Sequence, residues 1–133
     1  MRTLPAAVDS PSHTVLVVDD DSAIRFLCRV NLELDGWSVV EAATIPQARE
    51  AIDDGDVGIV LLDVHVGSGN GVEFLGELRY SHPGLPVVLL TGSVGSPSLE
   101  GADADAVISK PFTLDQLTGT VGRLVGRVSR DAG

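Results

Sequence analysis

Four short apolar runs in this chain each lead into residues that can do chemistry. Val15-Leu16-Val17-Val18 runs into Asp19-Asp20-Asp21, and Val57-Gly58-Ile59-Val60-Leu61-Leu62 into Asp63. Pro86-Val87-Val88-Leu89-Leu90 ends at Thr91, and Ala106-Val107-Ile108 precedes Ser109 and then Lys110-Pro111-Phe112. Runs this short and this rich in β-branched residues read as fully buried strands. A further strand is expected over Trp37–Glu41, and helices over Ser22–Leu34, Thr44–Asp53, Val72–Tyr80 and Leu114–Val128. Strands alternating with helices make a parallel sheet covered on both faces. The predicted fold is therefore α/β, a flavodoxin-like doubly wound five-stranded parallel sheet. In such sheets ligands gather at the C-terminal ends of the strands, where these carboxylates, the hydroxyl and the ammonium would converge.

Local signals set the helix ends. Asp21 and Ser22 are suited to start the first helix, and Gly36 to close it. Thr44 reads as an N-cap with Pro46 tolerated in the first turn, and Thr113 and Gln116 have capping-box spacing. His82-Pro83-Gly84 should stop the third helix, and Gly67-Ser68-Gly69-Asn70-Gly71 reads as a loop. Residues 1–13 are expected to form a flexible leader, 14–128 a single domain and 129–133 a frayed end.

Composition narrows the function. With 133 residues and 44% hydrophobic content, one core is expected. Nine basic against nineteen acidic residues, a net charge of −10, argue against direct nucleic-acid binding, which needs clustered Lys and Arg. Arg123, Arg127 and Arg130 read as helix-end charges instead. The single cysteine, Cys28, excludes an internal disulfide and multi-cysteine metal sites. No apolar stretch approaches the roughly 18 residues of a membrane span and no secretory signal opens the chain, so the expectation is a cytoplasmic protein without membrane insertion.

The chemistry follows from the residue types. Three carboxylates a few ångströms apart repel one another unless a divalent cation neutralises them. An oxygen-only site suits Mg2+, or Mn2+, better than zinc. Asp63 can then act as a carboxylate nucleophile toward a phosphoryl group, giving an aspartyl phosphate. The cation and Lys110 would stabilise the transferring charge, and Thr91 could afterwards donate a hydrogen bond to a phosphoryl oxygen.

The segments VLVVDDDSAIR, LLDVHVGSGNG, PVVLLTG and ISKPF, taken in order, resemble the receiver domain of two-component response regulators, over about residues 14–128. The resemblance implies that Asp63 is the phosphoacceptor. It implies that Asp19, Asp20, Asp63 and the His65 backbone carbonyl hold magnesium, that Thr91 is the switch hydroxyl and that Lys110 contacts the phosphoryl group. It also implies a cis peptide bond before Pro111. The implied partners are a histidine kinase or a histidine phosphotransfer protein, with signal output by protein contacts. The implied state is a monomer or weak dimer that does not turn over an external substrate.

The chain departs from the family pattern in places. Val66-Gly67 stands where Met-Pro is usual after the phosphoacceptor, which predicts a more mobile loop. Val107 stands where an aromatic partner of the switch threonine is common. The segment from Thr91 to Lys110 is shorter than usual and carries Gly92, Gly95, Pro97 and Gly101, so the fourth helix is expected to be shortened, irregular or absent. On the first helix, Ile24, Leu27, Cys28, Asn31 and Leu32 share an arc that should face the sheet. Phe26, Val30 and Leu34 form a separate apolar stripe, which marks a partner surface, in this family the docking place of the phosphohistidine bundle. Cover by the leader or final helix, and self-association, are the other readings of that stripe.

The expected function is a stand-alone phosphoacceptor receiver. The alternatives are a degenerate receiver acting by binding alone, and a receiver belonging to a hybrid kinase or larger regulator. A haloacid-dehalogenase-type phosphatase is a remote alternative, because His65 occupies the place where that class needs a second aspartate.

Overall fold

The computed structural model describes residues 13–92 and 103–126. Residues 1–12 of the expected leader, the stretch 93–102 that holds most of the expected fourth-helix segment, and the chain beyond 126 lie outside the described residues.

Five parallel strands form one sheet: β1 (Thr14–Val18), β2 (Ser38–Ala42), β3 (Val57–Asp63), β6 (Val87–Thr91) and β7 (Ala106–Ser109), in the order β2-β1-β3-β6-β7. Between them run α1 (Ser22–Leu34), α2 (Ile45–Asp53), α3 (Gly71–Ser81) and, last, α4 (Leu114–Val121). The chain returns across the sheet after β1, which pairs with both β2 and β3. That reversal places the ends of β1 and β3 side by side.

The unbroken apolar character of the runs has a direct cause. Successive side chains of a strand point to opposite faces, and here both faces are covered. Leu16, Val18, Val60, Leu62, Val87 and Leu89 pack with Ala48 and Ile52 of α2 and Phe74, Leu75 and Leu78 of α3. Val15, Val17, Ile59, Leu61, Val88 and Leu90 pack on the other side with Cys28 and Leu32 of α1 and Leu117 and Val121 of α4. Each such side chain stabilises the fold by about 1.5–3 kcal/mol. Truncating one, as in Leu89→Ala, would cost about 2–5 kcal/mol because a cavity remains. Arg79 ties the far end of the sheet together, donating to the carbonyls of Leu85 and Asp103 and to the Asp105 carboxylate.

The predicted caps form. The Asp21 carboxylate accepts from the Ala23 N–H at 2.9 Å, Thr44 accepts from Gln47, and Thr113 and Gln116 make both halves of the capping box. Four readings need correction. The segment taken as a loop holds a small antiparallel ribbon, β4 (His65–Val66) with β5 (Gly69–Asn70), and Asn70 caps α3 by accepting from the N–H groups of Val72 and Glu73. Strand β2 starts at Ser38 and reaches Ala42, one residue later than expected. Leu27 does not face the sheet but is 46% exposed, because burial on α1 centres on Cys28 and Leu32, one turn apart. The last helix changes to a π-helical turn at Gly122–Gly126, where glycines at 119, 122 and 126 weaken the α-helical preference.

Candidate functional site

Asp19 follows β1 directly, and its N–H donates to the Ala42 carbonyl at 3.1 Å, extending the ladder by one residue. Its side chain is fully buried. One carboxylate oxygen accepts from the Asp21 N–H at 2.9 Å and the other from Lys110 Nζ at 2.9 Å. Asp63 ends β3, almost buried. Its Oδ1 accepts from the His65 N–H at 3.2 Å and its Oδ2 from Lys110 Nζ at 3.0 Å. Asp20 is exposed, and one carboxylate oxygen each from Asp19, Asp20 and Asp63 lies within 4.8 Å of the others.

Lys110 reaches this edge because of its place after β7. Its N–H donates to the Thr91 carbonyl at 2.7 Å, and the Lys110–Pro111 bond is cis, as expected. Thr91 is buried at the end of β6, opposite Ser109 of β7 and next to Leu90, the residue paired with Asp63. The five predicted side chains thus come from four neighbouring strand ends. His65 is exposed, and its N–H meets Asp63.

Electrostatics match the crowding. Burial, reinforced by the charge of Asp63, raises the Asp19 carboxyl above its ordinary value, against the lowering effect of its hydrogen bonds to Lys110 and Asp21. Burial alone would pull the Lys110 ammonium down, but the hydrogen bonds and charges of Asp19 and Asp63 together outweigh it and raise it. Three carboxylates face one ammonium, so negative charge remains in excess. Clustered hard oxygen donors with one exposed member fit a divalent cation such as Mg2+ or Mn2+. Cys28 takes no part; burial pushes its thiol up to about 12.

A wider crevice lies away from this edge. A cavity of about 460 Å³ between α2 and α3 is lined by Ile45, Asn70, Phe74 and the Arg49–Glu77 ion pair. None of the predicted site residues lines it. On α1, Phe26 and Leu34 are 56% and 82% exposed and Val30 is half-buried. The exposed Leu27 widens that stripe.

Sequence reasoning missed Arg25 and Glu41. Arg25 Nη1 donates to the Asp19 carbonyl at 2.7 Å, and its Nε pairs with Glu41 at 2.9 Å. Glu41 also meets Arg29 at 3.1 Å. The available signal was a basic residue close to the start of a helix, where the macrodipole disfavours positive charge.

Residues 15–122 match the family described as the response regulator receiver domain. The chain is 35% identical over 122 residues to the response regulator MprA of Mycobacterium sp. strain KMS, covering 90% of this chain and 53% of that protein. It therefore spans about half the length of the curated relatives it matches first. The receiver domain protein (CheY-like) of Methanospirillum hungatei JF-1 superposes with a TM-score of 0.81 at 26% identity, over 89% of this chain and 97% of that one. TrrA of Thermotoga maritima, solved in complex with Mg(2+)-BeF, gives 0.75 at 29% identity, over 84% and 97%.

Proposed function

The chain belongs to the response regulator receiver domain family, and from that premise we propose that Asp63 accepts a phosphoryl group from a phosphohistidine donor in a Mg2+-dependent reaction. The observation that carries this reading is the convergence of Asp19 and Asp63 on Lys110 Nζ, at 2.9 and 3.0 Å, with Asp20 alongside. An oxygen of Asp63 attacks phosphorus, the bond from phosphorus to the donor imidazole breaks, and that electron pair stays on the imidazole nitrogen. Lys110, kept protonated by its two carboxylate partners, turns from Asp63 toward a phosphoryl oxygen. The Thr91 hydroxyl donates to another phosphoryl oxygen and so couples the modification to β6. Asp19, Asp20, Asp63 and the His65 carbonyl would hold Mg2+, which when bound supplies charge neutralisation for the carboxylates and the transferring group. The Mg(2+)-BeF complex of the similar TrrA supports this assignment.

On this reading residues 14–128 are the working unit. It is a phosphoacceptor in the cytoplasm that signals through protein contacts and turns over no external substrate. Phe26, Val30 and Leu34, with Leu27, form the surface for the helical donor, a histidine kinase or a histidine phosphotransfer protein. The test is intact mass after incubation with acetyl phosphate, with and without Mg2+. A gain of about 80 Da, the mass a phosphoryl group adds to a side chain, is expected only with Mg2+ present and Asp63 intact. No gain, or an equal gain in Asp63→Asn, would overturn the assignment.

A further inference from the structure

We propose that Arg25, anchored by Glu41, is a positioning residue that sets the Asp19–Asp20 main chain so that the Asp20 and Asp63 carboxylates face one divalent cation. The inference rests on the reading above of this strand edge as a cation and phosphoryl site.

Every polar group of Asp19 is engaged within the chain. Its N–H is held by Ala42 and its carbonyl by Arg25. Its two carboxylate oxygens are held by Asp21 and Lys110. Asp20 is the opposite case: exposed, and among the described residues its carboxylate has no hydrogen bond or ion pair. With no partner to hold the side chain, the backbone sets the direction from which that carboxylate leaves the chain. The carbonyl that Arg25 grips belongs to the Asp19–Asp20 peptide unit, which is planar and rotates as one body. Fixing the oxygen fixes the direction in which the chain enters Asp20.

Arg25 is itself held. Its Nε–H meets Glu41 of β2 at 2.9 Å while Nη1 meets the Asp19 carbonyl at 2.7 Å. A planar guanidinium can serve both partners at once, whereas an ammonium on a flexible stem cannot hold the same geometry. Glu41 precedes Ala42, whose carbonyl accepts from the Asp19 N–H. The end of β2 thus grips Asp19 twice, once directly and once through Arg25.

Charge and positioning make opposite predictions. Arg25 carries positive charge toward a cation site, so by charge alone its removal would tighten divalent binding. If it positions the carboxylates, its removal weakens binding by about 10-fold, as loss of a ligand-orienting group does.

The experiment is direct Mn2+ binding by electron paramagnetic resonance of the free ion, on the full chain and on Arg25→Met and Arg25→Lys, with thermal unfolding in EDTA alongside. About 10-fold weaker binding in a folded Arg25→Met, and weaker binding in the charge-conserving Arg25→Lys, are expected. In acetyl phosphate labelling, the Mg2+ concentration for half-maximal rate should rise while the rate at saturating Mg2+ is largely kept. Unchanged or tighter Mn2+ binding in either folded variant overturns the proposal. If Arg25→Met does not fold, Arg25→Lys decides. A wild-type chain that binds Mn2+ and takes no phosphoryl group would sink the phosphoacceptor reading while the Mn2+ series still judges Arg25. A wild-type chain that binds no Mn2+ overturns both.

Discussion

Gly71, the first residue of α3, packs directly against the main chain of Asp63. A Cβ at position 71 would overlap the Asp63 carbonyl oxygen and would lie 3.1 Å from the Cα of Val64. The Gly71 N–H donates to the Val64 carbonyl at 2.7 Å. Helix α3 can start only where no side chain intervenes. Gly71→Ala must push either the helix or the strand end away, at about 1–3 kcal/mol. Gly76, further along α3, has nothing within 4 Å of its would-be Cβ, so Gly76→Ala should instead stabilise by about 0.5–1 kcal/mol. Urea unfolding of the pair checks both signs.

Excess negative charge at the strand edge has a stability consequence in metal-free buffer. Asp63→Asn removes one of three crowded carboxylates, and its single amide oxygen keeps one of the two donors, Lys110 or the His65 N–H. Unfolding in EDTA should shift upward, by about 1–2 kcal/mol. Mg2+ should raise the unfolding midpoint of the wild-type chain more than that of the variant. Calorimetry with and without Mg2+ reads both.

The bridge across the α2–α3 crevice should matter only above mild acid. Hydrogen bonds from Arg49 hold the Glu77 carboxyl below its ordinary value. A carboxylate with a depressed native value contributes stability that is present above its unfolded value of 4.5 and lost as pH falls through the folded value. Both side chains are nearly half exposed, so the gain at pH 7 should stay under about 1 kcal/mol. Glu77→Gln should be slightly less stable than the wild type at neutral pH, and the two should converge in acid, once pH has fallen below the depressed folded value.

Placing a charge on the exposed stripe of α1 should separate docking from chemistry. Phe26 is more than half exposed and outside both cores, so Phe26→Glu should leave folding intact. Phosphotransfer from a histidine donor should slow by roughly 10-fold or more, since buried aromatic anchors dominate interfaces, while labelling by acetyl phosphate stays unchanged. Equal loss in both assays would contradict a docking role.

β1, β3 and β6 were legible because each is buried on both faces, which leaves a plain apolar run with a reactive residue after it. Asp21, Thr44 and Thr113 were legible as caps because capping depends on a few adjacent residues. Asn70 was not, since the glycines around it read as an open loop, whereas pairing of His65 with Asn70 makes it the end of a ribbon. Leu27 was misplaced because helical periodicity gives the centre of a buried arc more sharply than its edge. A basic residue near a helix start marked Arg25 as unusual, but its role could not be read, because its partner, Glu41, is distant in sequence and its acceptor is a backbone carbonyl.

Lys110 and Asp19 meet across 91 positions of sequence. During synthesis the aspartate leaves the ribosome long before the lysine, and its fully enclosed position against the ammonium can be reached only when β7 has joined the sheet. An N-terminal fragment ending before residue 110 would hold Asp19 and Asp63 without their shared cation. On the proposed function, a nascent or truncated chain that lacks Lys110 should not take up a phosphoryl group efficiently, so competence waits on the last strand of the sheet.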